Sequence, residues 1–396
     1  MSFSPLGSLL AAFVMLLVGS YVNRKIAFLS RYNIPDPITG GLLFAVPVSI
    51  AIEFFDVSMT FEQSIKPILL LMFFAGVGLC ADLRQLKRGG KALPIFMLVL
   101  FPFIILQNVT GVVMAKLLDL HPIFGLIAGS ITLVGGHGTG AAYADRFAQF
   151  NNLQMVMELA MTLATVGLIV GGIVGGPVAQ FLIKRHRLRS EAESASEEHV
   201  FRETPAPIST NSAIAALAGV IAAVIGGQWL ADQFADSPVT VPAFLWCMIL
   251  GIAIRNLLPL AKVQFDDRPA DIVSNVSLSL FLVMTMMTLD LIDVAHSAGP
   301  FLLIIAVQVM VIVAYAIFVC FRFMGRDYEA AVTTAAFVGF SMGSTATAMA
   351  NMQAISARHG PAPTSFLIVP LAGAFFVDIL NAFVLTIMLS LPFMGG

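Results

Sequence analysis

Long apolar runs alternate with short charged breaks along the whole chain. Ten of these runs approach the roughly 20 residues needed to cross a hydrocarbon core about 30 Å thick. They lie near 6–22, 37–52, 66–82, 94–115, 155–183, 212–231, 240–257, 273–291, 300–321 and 364–391. Two further stretches, 122–145 and 328–357, are moderately apolar, but glycines and hydroxyl residues interrupt their centres. The pattern predicts an all-α polytopic membrane protein with ten transmembrane helices.

Basic residues decide the threading, because Lys and Arg resist translocation and collect in cytoplasmic loops. If each interrupted stretch dips into the membrane and returns, loops 23–36, 83–93, 184–211, 255–272, 322–327 and 358–363 share one side. Those loops hold all of the chain's 21 basic residues except Lys66, Lys116 and Arg146. A simple crossing at either stretch would flip every later loop and destroy this segregation. Two inverted five-helix repeats follow, each with a re-entrant hairpin: 1–183 containing 122–145, and 212–396 containing 328–357. Residues 184–211, rich in mixed charge, serine and proline, are expected to form a cytoplasmic linker. Both termini then fall on the periplasmic side. Inverted repeats are a common construction of secondary transporters.

Composition agrees with this reading. Only 11% of residues are charged and 58% are hydrophobic, with mean hydropathy +0.93; a soluble domain carries near 25% charge. No basic stripe suggests nucleic acid. Cys80, Cys247 and Cys320 lie in or at the ends of apolar spans without metal-ligand spacing, and read as packing residues. No positive segment precedes the first span, so it is expected to be retained rather than cleaved.

The interruptions carry the chemistry. Non-helical backbone at membrane depth leaves amides and carbonyls unpaired unless protein, water or solute reaches them. "VGGHGTG" and "GFSMGSTAT", entering from opposite sides, are expected to meet near the midplane, each followed by a half-helix (139–147 and 344–356). Half-helix N-termini present free N–H groups and partial positive charge, which suits carboxylates. Glycines allow close approach, and Thr139, Ser341, Ser344, Thr345 and Thr347 add hydroxyls. Gly136-x-Gly138-x-x-Ala141 also fits a dinucleotide fingerprint, but no βαβ unit can surround it here. Glycines that only permit close helix packing are the plainer alternative. His137 is open between binding a carboxylate or proton and capping its own hairpin.

Asp378, within "GAFFVDILNAF", is expected at the centre of the last crossing, where a carboxylate needs a partner or ligand. Asn381 lies about one turn later, and with no basic partner nearby a bound cation is the natural counter-charge. Glu158 opens a stripe with Thr162 and Thr165; an interfacial carboxylate and an ion ligand are both open for it. Gln107, Asn108 and Gln308 occupy mid-span positions, where interhelical hydrogen bonds are the commoner role.

At these residues the chain resembles the bacterial sodium/glutamate symporter family almost end to end. The resemblance is carried by "IPDPITGGLL" (34–43), "AGSITLVGGHGTGAAY" (128–143), "NVSLSLFLVM" (275–284), "MANMQAI" (349–355) and "GAFFVDILNAF" (373–383). It implies Na+-driven uptake of L-glutamate across a bacterial inner membrane, a homodimer, and a scaffold with a moving transport domain. By motif it implies substrate binding at Gly135, Gly136, His137, Gly138 and Thr139. Ser341, Gly343, Ser344 and Thr345 are the counterparts in the second hairpin, whose tip departs from a more glycine-like, proline-containing family form. Asp378, Asn381, Glu158 and Thr162 are the expected sodium residues, with Na+ as coupling ion and no other cofactor. Two rival functions are a symporter for another small carboxylate, citrate-like or dicarboxylate, with proton coupling through His137 as an option, and an intramembrane enzyme using His137, Ser341 and Asp378. No nucleophile–base spacing supports the enzyme.

Overall fold

The structure is a computed structural model and describes residues 2–27, 29, 34–55, 60–150, 156–190, 207–234, 241–261, 265–288 and 291–391. Most of the linker 184–211 and the basic residues Arg31, Arg202 and Lys262 lie outside the described residues.

Fifteen helices form the described chain: α1 (Pro5–Lys25), α2 (Asp36–Phe55), α3 (Lys66–Leu79), α4 (Ala92–Leu117), α5 (Pro122–Leu126), α6 (Gly136–Phe150), α7 (Val156–His186), α8 (Thr210–Gln233), α9 (Ala243–Leu257), α10 (Asp267–Met287), α11 (Leu291–Tyr315), and a short turn α12 (Phe321–Phe323). The last three are α13 (Tyr328–Met342), α14 (Thr345–His359) and the bent pair α15, whose two arms are Pro363–Phe375 and Val377–Leu389. Residues 127–131 and 316–320 are π-helical turns that extend α5 and α11. A two-residue parallel bridge, Ser2–Phe3 with Thr60–Phe61, is the only strand pairing among the described residues.

Among the described residues six helices are long and apolar enough to cross a membrane: α1, α4, α7, α8, α10 and the α11–α12 run from Gly299 to Phe323. With the family evidence given below, they make this a multi-pass membrane protein. The expected crossings at 37–52, 66–82 and 240–257 take shorter form, as apolar stretches Asp36–Ile50, Lys66–Leu79 and Ala243–Leu257. The 14-residue α3 reaches about 21 Å at 1.5 Å per residue, less than a full hydrocarbon core. The expected crossing 364–391 is not one rod: its two arms meet at Phe376 with a bend of 48°.

Two compact units emerge. The first contains Met1–Asp82, Leu153–Glu158 and Ile208–Ala298, and the second contains Leu83–Asn152, Leu159–Pro207 and Gly299–Gly396. Within the first, α3 packs against α8, α9 and α10. Ala75, Leu79, Ala216, Val220, Ala223, Ala270 and Cys247 form its small-residue core, so Cys247 does pack as expected. Where α3 and α9 cross, a Cβ on Gly78 would meet the Met248 carbonyl, and one on Gly251 the Ala75 carbonyl. Small residues let helices approach closely where lipid removes the usual hydrophobic drive.

At one end of this unit Arg255, 8% exposed, binds two carboxylates. Its Nη2 lies 3.1 Å from Asp82 Oδ2 and its Nε 2.7 Å from Asp267 Oδ1. Asn256 Nδ2 donates to the Ala81 carbonyl at 2.8 Å. The ends of α3 and α9 and the start of α10 are thereby tied together.

Within the second unit, α13 and α14 form a hairpin whose outer ends meet. Tyr328 Oη donates to the Gly360 carbonyl at 2.6 Å. The Glu329 carboxylate accepts from the amides of Thr364 at 3.1 Å and Ser365 at 2.9 Å. Ser190 Oγ, beyond α7, donates to the Pro361 carbonyl at 2.7 Å.

Candidate functional site

Three helix breaks lie in the second unit. The first, between Ile131 and Gly136, follows the π-turn, inside which Gly129 leaves helical geometry (φ −104°, ψ −134°). The chain then turns through Gly136 at φ +62°, a left-handed conformation that costs a glycine nothing. The second break is Gly343–Ser344, with Gly343 at φ −154°, ψ −82° and Ser344 fully extended. The third falls at Phe376, between the arms of α15.

The first two breaks converge. A Cβ built on Gly136 would sit 3.2 Å from the Gly343 carbonyl oxygen. Of the residues expected to bind substrate, Gly136 from the first break and Gly343 from the second are thus brought together. Both following half-helices are longer than expected, beginning at Gly136 and Thr345 and running fifteen residues each.

At the first half-helix, Gly135 supplies the first accepting carbonyl, to the Thr139 amide at 3.4 Å. Glycine has no side chain to cap the amides of Gly136, His137 and Gly138, which the helix itself leaves unpaired. At the second, Ser344 Oγ accepts from the Thr347 amide at 3.3 Å and caps its own helix. That serine hydroxyl thus serves the fold, as Ser and Asn commonly do at this position. Ser344 and Thr345 are half-buried and Ala346 is exposed, so this helix start is open on one side. Ser341 is fully buried, its carbonyl accepting from Gln107 Nε2 at 3.0 Å.

Among the described residues His137 contacts a neighbouring helix rather than its own hairpin. Its Nε2 lies 3.0 Å from Thr165 Oγ1, whose hydroxyl donates to the Met161 carbonyl at 2.8 Å, so α6 is held against α7.

Asp378 lies near the middle of the expected crossing 364–391, at the break between its two arms. It lies in the first turn of the second α15 arm rather than in mid-helix, where the helix dipole favours a negative charge. Thr139 Oγ1 faces its Oδ1 at 3.4 Å. Among the described residues no Lys or Arg pairs with it. Asn381 is fully buried and engaged at both ends: Nδ2 donates to the Ser130 carbonyl at 3.0 Å and Oδ1 accepts from Ser130 Oγ at 2.5 Å. Glu158 and Thr162 are half-buried on α7, Glu158 grouping with the first unit and Thr162 with the second.

Asn108 and Gln308 make the interhelical hydrogen bonds that their mid-span positions suggest, and Asn351, not singled out in the sequence, makes two more. Asn108 Oδ1 accepts from the Ser130 amide at 3.0 Å. Gln308 Nε2 donates to the Gln107 carbonyl at 2.8 Å. Asn351 Nδ2 donates to the carbonyls of Gly171 at 3.1 Å and Ala335 at 3.2 Å. Asn108 thereby pairs an amide of the interrupted turn 127–131, the condition for irregular backbone at membrane depth, whereas the carbonyls of Gln107, Gly171 and Ala335 lie inside continuous helices and the bonds to them tie neighbouring helices together. The signal was present, as mid-span Gln and Asn in apolar helices.

This is a multi-pass membrane protein built around converging broken helices, the arrangement of a solute carrier. Residues 1–361 match the sequence profile of a family described as Sodium/glutamate symporter. The chain is 38% identical to the sodium/glutamate symporter of Haemophilus influenzae over 392 residues, covering 98% of this chain and 97% of that one. It is 39% identical to the sodium/glutamate symporter of Escherichia coli over 395 residues, 99% and 98% of the two chains. The chain belongs to the sodium/glutamate symporter family. It is a transporter, since its relatives are named symporters rather than enzymes. Among solved structures it is similar to the sodium proton antiporter MjNhaP1 of Methanocaldococcus jannaschii at TM-score 0.44 and 15% identity, over 98% and 99% of the chains.

Proposed function

We propose that the protein imports L-glutamate across a bacterial inner membrane, driven by sodium, by alternating access. The observation that carries this reading is the convergence of Gly136 on Gly343, which sets two half-helix N-termini against each other in one unit. Each terminus supplies free amides and partial positive charge to one of glutamate's two carboxylates. No basic side chain is then required. The names of the relatives support both solutes.

Substrate contacts fall to Gly135, Gly136, His137, Gly138 and Thr139 from one hairpin. Ser341, Gly343, Ser344 and Thr345 form the other side, the last two chiefly through backbone. Sodium binds beside Asp378, near Thr139, so ion and substrate occupy adjoining places and bind together. Asn381, tied to Ser130, and Glu158 and Thr162 on α7 are the further sodium residues of this reading. The membrane potential adds roughly 2.3 kcal/mol per net charge moved per 100 mV.

Because the site residues other than Glu158 fall in the second unit, that unit is the moving transport domain and the first is the scaffold through which a homodimer forms. The order of helices supports two inverted repeats. Four helices, a broken hairpin and a further crossing run from α1 to α7, and the same order runs from α8 to α15. The joined ends of α13 and α14, at Tyr328 and Gly360, support re-entry from one face. Termini are periplasmic and the linker 184–211 is cytoplasmic.

Purified protein in liposomes, with an inward sodium gradient and labelled glutamate, tests the reading. Uptake is expected with Na+ and to collapse with K+ or choline. Uptake of citrate in preference to glutamate, or drive by protons alone, overturns it.

A further inference from the structure

If glutamate is the solute, the hairpin tips account for only two of its three charged groups. Helix-start amides are donors and suit carboxylates, but the α-ammonium is itself a donor and needs an acceptor. If Asp378 serves sodium, an acceptor other than a carboxylate beside the helix-start amides of α6 would meet that need. His137 stands in the first turn of that helix, 8% exposed.

The hydrogen bonds around His137 fix which ring nitrogen can accept. The Thr165 hydroxyl has one proton and spends it on the Met161 carbonyl at 2.8 Å. Its oxygen, 3.0 Å from His137 Nε2, is left to accept, so Nε2 carries the ring proton. A neutral imidazole protonated at Nε2 has its lone pair on Nδ1. The Met161 carbonyl, one turn back on α7, thus sets the tautomer of a ring on α6 through a single hydroxyl.

We infer that Thr165 is a positioning residue that holds His137 as a neutral acceptor, with Nδ1 receiving the α-ammonium of the substrate, so that this pair separates amino acids from plain dicarboxylates. It rests on the glutamate reading and adds a specificity element to it. Thr165→Val removes the hydroxyl with little change of shape and frees the ring to change tautomer, whereas Thr165→Ser keeps the relay.

The experiment compares glutamate with glutarate, the same diacid without the ammonium, as competitors of sodium-driven uptake in liposomes. In Thr165→Val the glutamate affinity is expected to fall about tenfold, the scale of a hydrogen bond to a charged group, while glutarate inhibition shifts less than about threefold. Thr165→Ser is expected to restore the wild-type ratio. Equal losses for both diacids, or no loss for either, overturn the inference while leaving transport intact. A wild-type protein that takes up no glutamate overturns the transport reading itself. Nitrogen NMR of histidine-labelled wild-type protein, with His137 assigned by difference from His137→Asn, requires no folded Thr165 variant. Its Nδ1 is expected to be unprotonated and to shift with glutamate but not glutarate. A protonated Nδ1, or equal shifts with both, overturns the inference.

Discussion

Asn381 and Ser130 hold each other at two points, a side-chain amide donating to a carbonyl at 3.0 Å and a hydroxyl donating back at 2.5 Å. The pair joins α15 to the π-turn at the first break, and both residues are fully buried. Removing one partner leaves the other's polar groups unpaired, which costs about 1–3 kcal/mol. Asn381→Ala is therefore expected to lower the melting temperature in detergent as well as transport. Adding Ser130→Ala is expected to cost less than the sum of the two single changes. A variant that melts like wild type but needs far more sodium would make Asn381 an ion ligand instead.

Gly136 is the position where the backbone itself is tested. Its φ of +62° costs an L-residue roughly 1–2 kcal/mol, and a Cβ there meets the Gly343 carbonyl at 3.2 Å. Gly136→Ala is expected to push the breaks apart and abolish uptake at wild-type protein levels. Gly176 on α7, where a Cβ meets nothing within 4 Å, is the control. Gly176→Ala is expected to leave uptake unchanged and to stabilise slightly, because alanine has the higher helix propensity.

The hydropathy pattern placed most of the helices and both glycine breaks because each has a strong local cause: an apolar run, or a cluster of glycines that no helix favours. It did not reveal the third break. "GAFFVDILNAF" has no glycine or proline at Phe376 itself and reads as a continuous rod, although Pro370 and Gly373 lie in the arm before the bend. Asp378 was the available clue, since an unpaired carboxylate in an apolar run sits more comfortably at a helix start than in its middle. Ser130 was also invisible, being one small residue in "AGSIT" whose importance lies in partners far along the chain. The short α3 and α9 belong to the same lesson. Apolar runs report burial and length but not where a helix stops; the ends of α3 and α9 lie beside the contacts of Arg255 with Asp82 and Asp267.

That ion pair yields a prediction outside the site. Arg255→Met leaves two carboxylates facing one another at the end of the first unit. Breaking a buried pair costs about 3–5 kcal/mol, and exposure of Asp267, 33% of its side chain, reduces this to about 2–4 kcal/mol. The variant is expected to express poorly and melt earlier, while the protein that does fold keeps wild-type affinities for glutamate and sodium. Changed affinities at unchanged stability would place Arg255 in the transport path.

Asp378→Asn separates charge from structure more cleanly than any other change at the site. Asparagine has the same shape, serves equally well at a helix start, and can still accept from Thr139 Oγ1, now at 3.4 Å. Only the negative charge is lost, and its stabilising effect on a helix start is roughly 0.3–1 kcal/mol. Protein level and melting temperature are thus expected to stay near wild type. A sodium ion beside this carboxylate loses the counter-charge that it supplies, so half-saturation by sodium is expected to rise at least about tenfold, equivalent to about 1.4 kcal/mol. Glutamate affinity is expected to fall with it at low sodium and to recover at saturating sodium, since two ligands that bind together shift each other's affinity by the same factor. Sodium activation that is unchanged in Asp378→Asn removes Asp378 from the ion site. A glutamate defect that no sodium concentration repairs assigns the carboxylate to the substrate instead.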